Sequence, residues 1–399
     1  MCATVLYLSY TGLLEPLGQS QVYQYLRSLS NDHDIHLLTY EKPSDLAQKS
    51  RVSEMKHELE RQGIEWHPFR YHKSPTVPAT LWDIARGVAL GAYLTKRHNI
   101  DVLHARSYIA GAIAMAIDAV SSTKFIFDMR GFWADERVDA GMWSKDSRLY
   151  SWSKTLERQL FERADVIVSL TNVGIDAIRG FSHVDTSDTE FTMIPTCVNL
   201  DLFTPAENDT SDEPTLCYLG SVGTWYLFED VLDCFSILRD SEPKATLKVI
   251  NQGDHQYIRD QLEDYEIPAS AVDIQALEHQ EVPAALSDVD AGVFFYKPTF
   301  SKKGTSPTKL GEFLAAGIPC LTNYGVGDVQ ELLEGNNVGV VTQGFKDDHK
   351  RRAINDIQEL IAEDGIEDRC RAVAEDYYSL EEGVEKYDEL YRRLSGAHS

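Results

Sequence analysis

The sequence has little positive charge, no long apolar run and no cysteine framework. Its 399 residues carry 38 Lys and Arg against 63 Asp and Glu, a formal net charge of −25. A phosphate backbone calls for a basic field on its partner, so nucleic acid is not expected to bind. The imbalance reads either as a fit to salt-rich surroundings, where screening softens self-repulsion, or as a solubility device. No apolar stretch approaches the length of a membrane span, and Met1 runs directly into the strand-like VLYLSY, so neither a spanning helix nor a signal peptide is expected. The six cysteines (Cys2, Cys197, Cys217, Cys234, Cys320 and Cys370) have no zinc-like or disulfide-like spacing, which fits a cytoplasmic chain. Neither half carries a G-x-G-x-x-G fingerprint with an acidic residue after it, which argues against a nicotinamide enzyme.

What is present is alternation. An apolar strand from Thr4 to Tyr10 leads into TGLLEPLGQSQ and a helix over 20–30, then a strand at 35–39. A loop at the carboxyl end of a parallel strand is where open α/β sheets bind ligands, so Gly18, and less so Gly12, is placed near one; the alternative is a plain turn. A charged helix over 45–62 follows, then IEWHPF and a long amphipathic helix with basic ends (Arg70, His72, Lys73; Lys96, Arg97, His98). Those ends suit anionic lipid headgroups or a phosphate-bearing acceptor, or are solubilising charge. His104 and Arg106 end one strand, and Asp128, Arg130, Trp133 and Glu136 crowd the loop after the next. Aromatics beside mixed charges suit a sugar acceptor; ion pairing within the loop is the alternative, and a core or capping role is the alternative for His104.

The acidic, turn-rich AENDTSDEP marks a domain boundary, giving domains at 1–205 and 206–370. Acidic helices over 347–363 and 366–395 close the chain, and 371–399 is a terminal helix long enough to cross back to the first domain. Strand–helix alternation in both halves predicts two Rossmann-like parallel-sheet domains facing across a cleft.

The stretch Ser301–Glu331, SKKGTSPTKLGEFLAAGIPCLTNYGVGDVQE, organises the second half. A Gly/Ser/Thr/Lys loop feeding a helix start offers backbone amides and dipole to an anion, with Lys302, Lys303 and Lys309 adding charge. Glu312 in that helix suits hydroxyls rather than phosphate.

IPTCVNLDLFTP, CYLGSVGTWY, SPTKLGEFLAAGIPCLTNYGVGDVQEL and YTGLLEPLGQSQ resemble the retaining glycosyltransferases of the GT-B fold, family 4 (glycosyl transferase group 1). The resemblance implies transfer of a sugar from a nucleotide diphosphate donor, UDP- or GDP-linked, to an acceptor hydroxyl with retention at the anomeric carbon. It implies that the second domain holds the donor and the first most of the acceptor, a glycan or lipid-linked molecule of cell-surface or exopolysaccharide synthesis. Glu312 is similar to the second glutamate of the family's glutamate pair, which binds the ribose. Lys309, with Ser306 and Thr308, then faces the diphosphate. Lys303, Ser221, the loop glycine Gly18 and the turn glycine Gly327 complete the donor set. Arg106, Arg130, Trp133 and Glu136 take the acceptor. The first glutamate of the pair falls at Gly304 and is absent. The basic pair after the first strand of the second domain is replaced in GSVGTWY, and a common histidine is Asp128 here.

With no DxD-like metal site, lysine and backbone are expected to replace a cation. Lys309 stabilises the leaving diphosphate, and same-face attack delivers the acceptor proton to it, with Asp128 or His104 orienting. Rival readings are a nucleotide-sugar 2-epimerase of similar fold and a non-catalytic sugar-nucleotide-binding protein. The chain is expected in the cytoplasm, at the inner face of the membrane in the peripheral variant.

Overall fold

The computed structural model describes residues 2–206 and 213–396, so most of the predicted AENDTSDEP boundary lies outside the described residues. The chain forms two compact units, one from Met1–Pro195 with Leu380–Ser399 and the other from Thr196–Ser379. In the first unit β1 (Thr4–Ser9), β2 (Asp34–Glu41), β3 (Ile64–Arg70), β4 (Val102–Arg106), β5 (Lys124–Asp128), β6 (Val166–Ser169) and β7 (Glu190–Met193) form one sheet. Their order is β3-β2-β1-β4-β5-β6-β7, with every pairing parallel.

The second unit repeats the arrangement. Its strands are β8 (Thr215–Leu219), β9 (Thr246–Ile250), β10 (Val272–Gln275), β11 (Ala291–Val293), β12 (Cys320–Asn323) and β13 (Gly339–Thr342), in the order β10-β9-β8-β11-β12-β13. All pairings are again parallel. The expectation of two Rossmann-like parallel sheets therefore holds. The central strands β4, β6 and β8 are buried throughout, as strands covered on both faces must be, while the edge strands β3, β7 and β10 are partly open.

Four boundaries differ from the sequence reading. The first unit gives way to the second at Thr196 rather than at 206, because Val198 donates its amide to the Tyr378 carbonyl and Phe203 joins the second core. The helix expected over 45–62 is two pieces, Pro43–Leu46 and Lys49–Arg61, and the one over 20–30 begins at Pro16 through a wide turn at Gln19–Tyr23. The long terminal helix breaks at Ser379, whose backbone is extended (φ −57°, ψ 125°). Ile366–Tyr378 then packs in the second unit, and Leu380–Leu394 lays Tyr387 and Tyr391 on the first sheet.

Candidate functional site

In the second unit the loops after β8 and β11 are laced together. Leu227 donates to the Phe295 carbonyl, Lys297 donates to the Trp225 carbonyl, and Tyr226 bridges to Tyr296. Asparagines at two strand ends hold this arrangement. Asn251 Nδ2 donates to the Gly220 carbonyl at 2.9 Å, and Asn323 exchanges bonds of 2.7 and 3.0 Å with the Tyr296 backbone.

The lacing encloses Lys309. Its amine lies 4.4 Å from the Tyr226 ring centre, 4.9 Å from Tyr218, 5.6 Å from Phe294 and 5.9 Å from Tyr296. A side chain at Gly220 (φ +117°) would place its Cβ 2.8 Å from that nitrogen, so this glycine keeps the approach to the amine clear. Nζ is buried with no hydrogen-bond partner among the described residues. Burial brings the amine down to about 7, against smaller upward pulls from Glu312 and Cys217. Cation–π contact offsets part of the desolvation, but no carboxylate or carbonyl takes the three N–H bonds.

Lys309 is the second residue of helix Thr308–Ala315, which starts at Pro307 with no side-chain cap. One turn on, buried Glu312 accepts from His279 Nε2 at 2.9 Å, and that bond is the main cause of a raised His279 pKa. The other predicted donor residues scatter around this point. Thr308 is half-buried at the helix start, whereas Ser221 and Lys303 are exposed. Gly327 has φ +39° and donates its amide to the Lys302 carbonyl. Ser306 Oγ is engaged internally, accepting the Thr196 amide at 3.2 Å. The loop at 301–304 is not open polar chain but a short helical turn, Phe300–Gly304, in which Lys302 is buried with its amine 5.2 Å from the Trp225 ring centre.

In the first unit, the loop after β1 already holds an anion, which is its own. The fully buried Glu41 carboxylate accepts from the amides of Leu13 (2.7 Å) and Leu14 (3.1 Å) and from the Thr39 hydroxyl (2.6 Å). Gly18 is fixed by packing. A Cβ there would lie 2.1 Å from the Gly12 carbonyl oxygen.

Strand register then sets Ser9, Arg106 and Asp128 in a row at the carboxyl ends of β1, β4 and β5. His104 lies two residues back, enclosed by Tyr7, Tyr387 and Tyr391, and its Nδ1 is 2.6 Å from the Tyr391 hydroxyl. Asp128 stands 3.8 Å from His104 Nε2 and 3.9 Å from Arg130 Nη1, and accepts from the Tyr387 hydroxyl at 3.3 Å. Burial works against its charge, but Arg130 and His104 outweigh it and hold the carboxyl below its ordinary pKa. Burial, and then Arg130, lowers the Arg106 pKa, and its Nε has no hydrogen-bond partner among the described residues. His104 is pushed toward the neutral form, chiefly by burial. Arg106, Arg130, Asp128 and His104 thus come together under the terminal helix. Trp133 and Glu136 lie apart, on helix Trp133–Asp139, where Trp133 stacks on Tyr108 at 5.8 Å and meets Trp143 at 5.2 Å.

Sequence reasoning missed Glu41, His279, the tyrosines around Lys309 and those of the terminal helix. A strand ending in Glu next to a glycine loop was the one available signal for Glu41.

Residues 18–193 match the model of the glycosyl transferase 4-like domain. No curated protein matches the chain. Among solved structures, sucrose-phosphate synthase from Thermosynechococcus elongatus superposes with a TM-score of 0.74 at 14% identity, over 99% of this chain and 100% of its own. A glycosyltransferase from Rickettsia africae gives 0.73 at 12% identity, over 98% of each chain. Anabaena HepE in complex with UDP and glucose gives 0.69 at 13% identity, over 97% of this chain and 98% of its own. The architecture is that of the GT-B glycosyltransferases, two parallel-sheet domains each with helices on its faces.

Proposed function

We propose that the chain is a retaining glycosyltransferase that moves a sugar from a nucleotide diphosphate donor to an acceptor hydroxyl. The observation that carries this reading is the buried, unpartnered Lys309 amine behind Gly220, one helical turn before Glu312. An amine desolvated without a counter-ion gains most from an incoming diphosphate, and gains more as charge develops on the leaving group. Ribose hydroxyls fit Glu312, with His279 steadying one of its oxygens. The fold supports the reading, being shared with HepE in complex with UDP and glucose.

In the reaction, the bond from the anomeric carbon to the diphosphate oxygen breaks and the bond to the acceptor oxygen forms on the same face. The acceptor proton passes to the departing phosphate oxygen, and Lys309 holds the resulting charge without a metal ion. Thr308, Lys303, Ser221 and Gly327 complete the donor surroundings, and Ser306, whose oxygen accepts the Thr196 amide, keeps its hydroxyl proton to donate to phosphate. Arg106 and Arg130 present charge toward the acceptor, with Asp128 and His104 positioning them; Trp133 and Glu136, on helix Trp133–Asp139, offer it a separate ring and carboxylate.

Among the described residues no helix is long and apolar enough to cross a membrane. Helix Thr76–His98 nevertheless exposes Leu81 and Trp82 near its start and Tyr93 just before its basic end, which suits a lipid-linked acceptor in a surface glycan pathway at the inner membrane face. Released nucleotide should be followed for UDP-, GDP- and ADP-sugars without acceptor. Slow hydrolysis of one donor is expected; turnover of a nucleotide sugar to its epimer, or binding without turnover, would replace this reading with one of its rivals.

A further inference from the structure

A second cluster lies toward the amino-terminal end of the first sheet, away from the carboxyl ends where such sheets bind their ligands. His36 comes from β2, Glu65 and His67 from the edge strand β3, and His98 from the last turn of helix Thr76–His98. One ligand atom from each of His36, Glu65 and His98 lies within 4.8 Å of the others. His36 Nδ1 is 3.3 Å from Glu65 Oε2 and 3.4 Å from His67 Nε2, and His67 Nε2 is 3.6 Å from Glu65 Oε1. Zinc bonds of 2.0–2.1 Å set neighbouring tetrahedral ligand atoms roughly 3.3 Å apart. These contacts are close to the edge length of a zinc tetrahedron, Glu65 meeting His36 through one oxygen and His67 through the other. The His98 ring centre is 4.2 Å from that of His36, and His98 forms the close group with His36 and Glu65.

The chemistry agrees with the spacing. The His36 and His67 rings lie near-parallel, 13° between their planes, with the Glu65 carboxylate within reach of a nitrogen of each. Histidines crowded face to face repel when protonated, and a shared cation relieves that repulsion. Imidazole nitrogens with one carboxylate suit zinc rather than magnesium or calcium, which take oxygen ligands. The net charge of −25 also concentrates cations near the surface. No local motif announces the set, because its members lie at 36, 65, 67 and 98.

We propose that His36, Glu65 and His98, with His67 as the fourth ligand, form a zinc site that ties the edge strand β3 and the end of helix Thr76–His98 to β2. The test is titration of the full chain, carrying no polyhistidine tag, with zinc sulfate against a chromogenic chelator, alongside thermal unfolding. One equivalent is expected to bind at ~1 μM or tighter and to raise the melting temperature. His98→Gln, a half-buried helix-end change that spares the sheet, should weaken binding at least about tenfold, and His36→Gln should do the same. His57→Gln, on an exposed histidine elsewhere, and Cys2→Ser, at the exposed thiol, should leave binding unchanged. Absence of stoichiometric binding, full affinity in a folded His98→Gln chain, or loss of binding in Cys2→Ser would each overturn the assignment. Donor hydrolysis is expected to continue after chelation, which separates this site from the transfer reaction.

Discussion

In the first domain the amides of Leu13 and Leu14 close on the Glu41 carboxylate; in the second, the corresponding loop at Gly220 leaves the Lys309 amine uncovered by any partner. Apart from the extra edge strand β7, the two sheets have the same strand order, and both loops follow a first strand, so topology alone offers two equivalent places for a phosphate. The side chains distinguish them. An anion approaching the first loop meets a buried negative charge already holding the amides. An anion approaching the second meets a buried amine whose desolvation nothing has offset. One fold thus carries a site completed by its own carboxylate and a site left incomplete.

Removing the incomplete half should have the largest effect. Lys309→Met keeps the stem against the four rings and deletes the charge. It is expected to lower kcat for donor turnover by about 10²–10³-fold, the usual loss for one preorganised group at a developing oxyanion. The same change should stabilise the fold, since it removes an unpaired buried amine. Near-wild-type kcat at saturating donor would refute the assignment of Lys309 to the leaving group.

Completing the wrong half should matter to folding and not to turnover. Glu41→Gln preserves shape but can set an amide N–H against the Leu13 or Leu14 amide. The cost is expected at about 2 kcal/mol of stability, read by urea unfolding, with donor kcat changed little where the chain stays folded. A collapse of donor affinity with unchanged stability would place the nucleotide in the first domain instead.

Acidity separates the two loops more gently. The free Lys309 amine sits at about 7, and a bound diphosphate raises it, so donor binding takes up a proton above neutrality. Affinity for a nucleotide sugar should be flat below about pH 6.5 and fall by up to about tenfold per unit above pH 7. Between about 7 and the ordinary lysine value of 10.5, the unfolded chain holds a proton that the folded amine lacks. Ligand-free stability from this group therefore rises with pH across that window, opposite to the trend in affinity. Both dependences should vanish in Lys309→Met.

Much of the fold was legible because doubly buried parallel strands are continuous apolar runs. The strand read at Thr4–Tyr10 is Thr4–Ser9, and the one read at 35–39 lies within Asp34–Glu41. The site was legible only where its members are neighbours in sequence, as Lys309 and Glu312 are. The cage around Lys309 draws on positions 218, 226, 294 and 296, which meet only after two loops have been laced by Asn251 and Asn323. Glu41 was missed for the same reason, since it ends the strand beside its loop and the only signal was a glutamate closing an apolar strand. Lys302 was misread as open charge because a lysine stem over aromatic rings has the composition of a polar loop. The break at Ser379 lacks glycine and proline, the usual punctuation, and is set by the two units each claiming one side of it.

His279 offers the smallest and sharpest contrast, because it gives the second domain a weak counterpart of the pairing that closes the first. Glu41 is held by two amides and a hydroxyl and cannot turn; Glu312 is held by one half-exposed imidazole. Its raised pKa comes first from the bond to Glu312, so the pair is most strongly charged below that pKa and weakens as pH rises through it. The neutral ring can still donate Nε2–H, so orientation outlasts the charge. His279→Ala should therefore raise the donor KM by about three- to tenfold, matching the roughly 1 kcal/mol net worth of one such bond, and leave kcat within about twofold. His279→Asn, whose amide can still donate, should recover part of the loss. A fall in kcat with unchanged KM would mean that His279 acts on the leaving group, and would move the ribose away from Glu312.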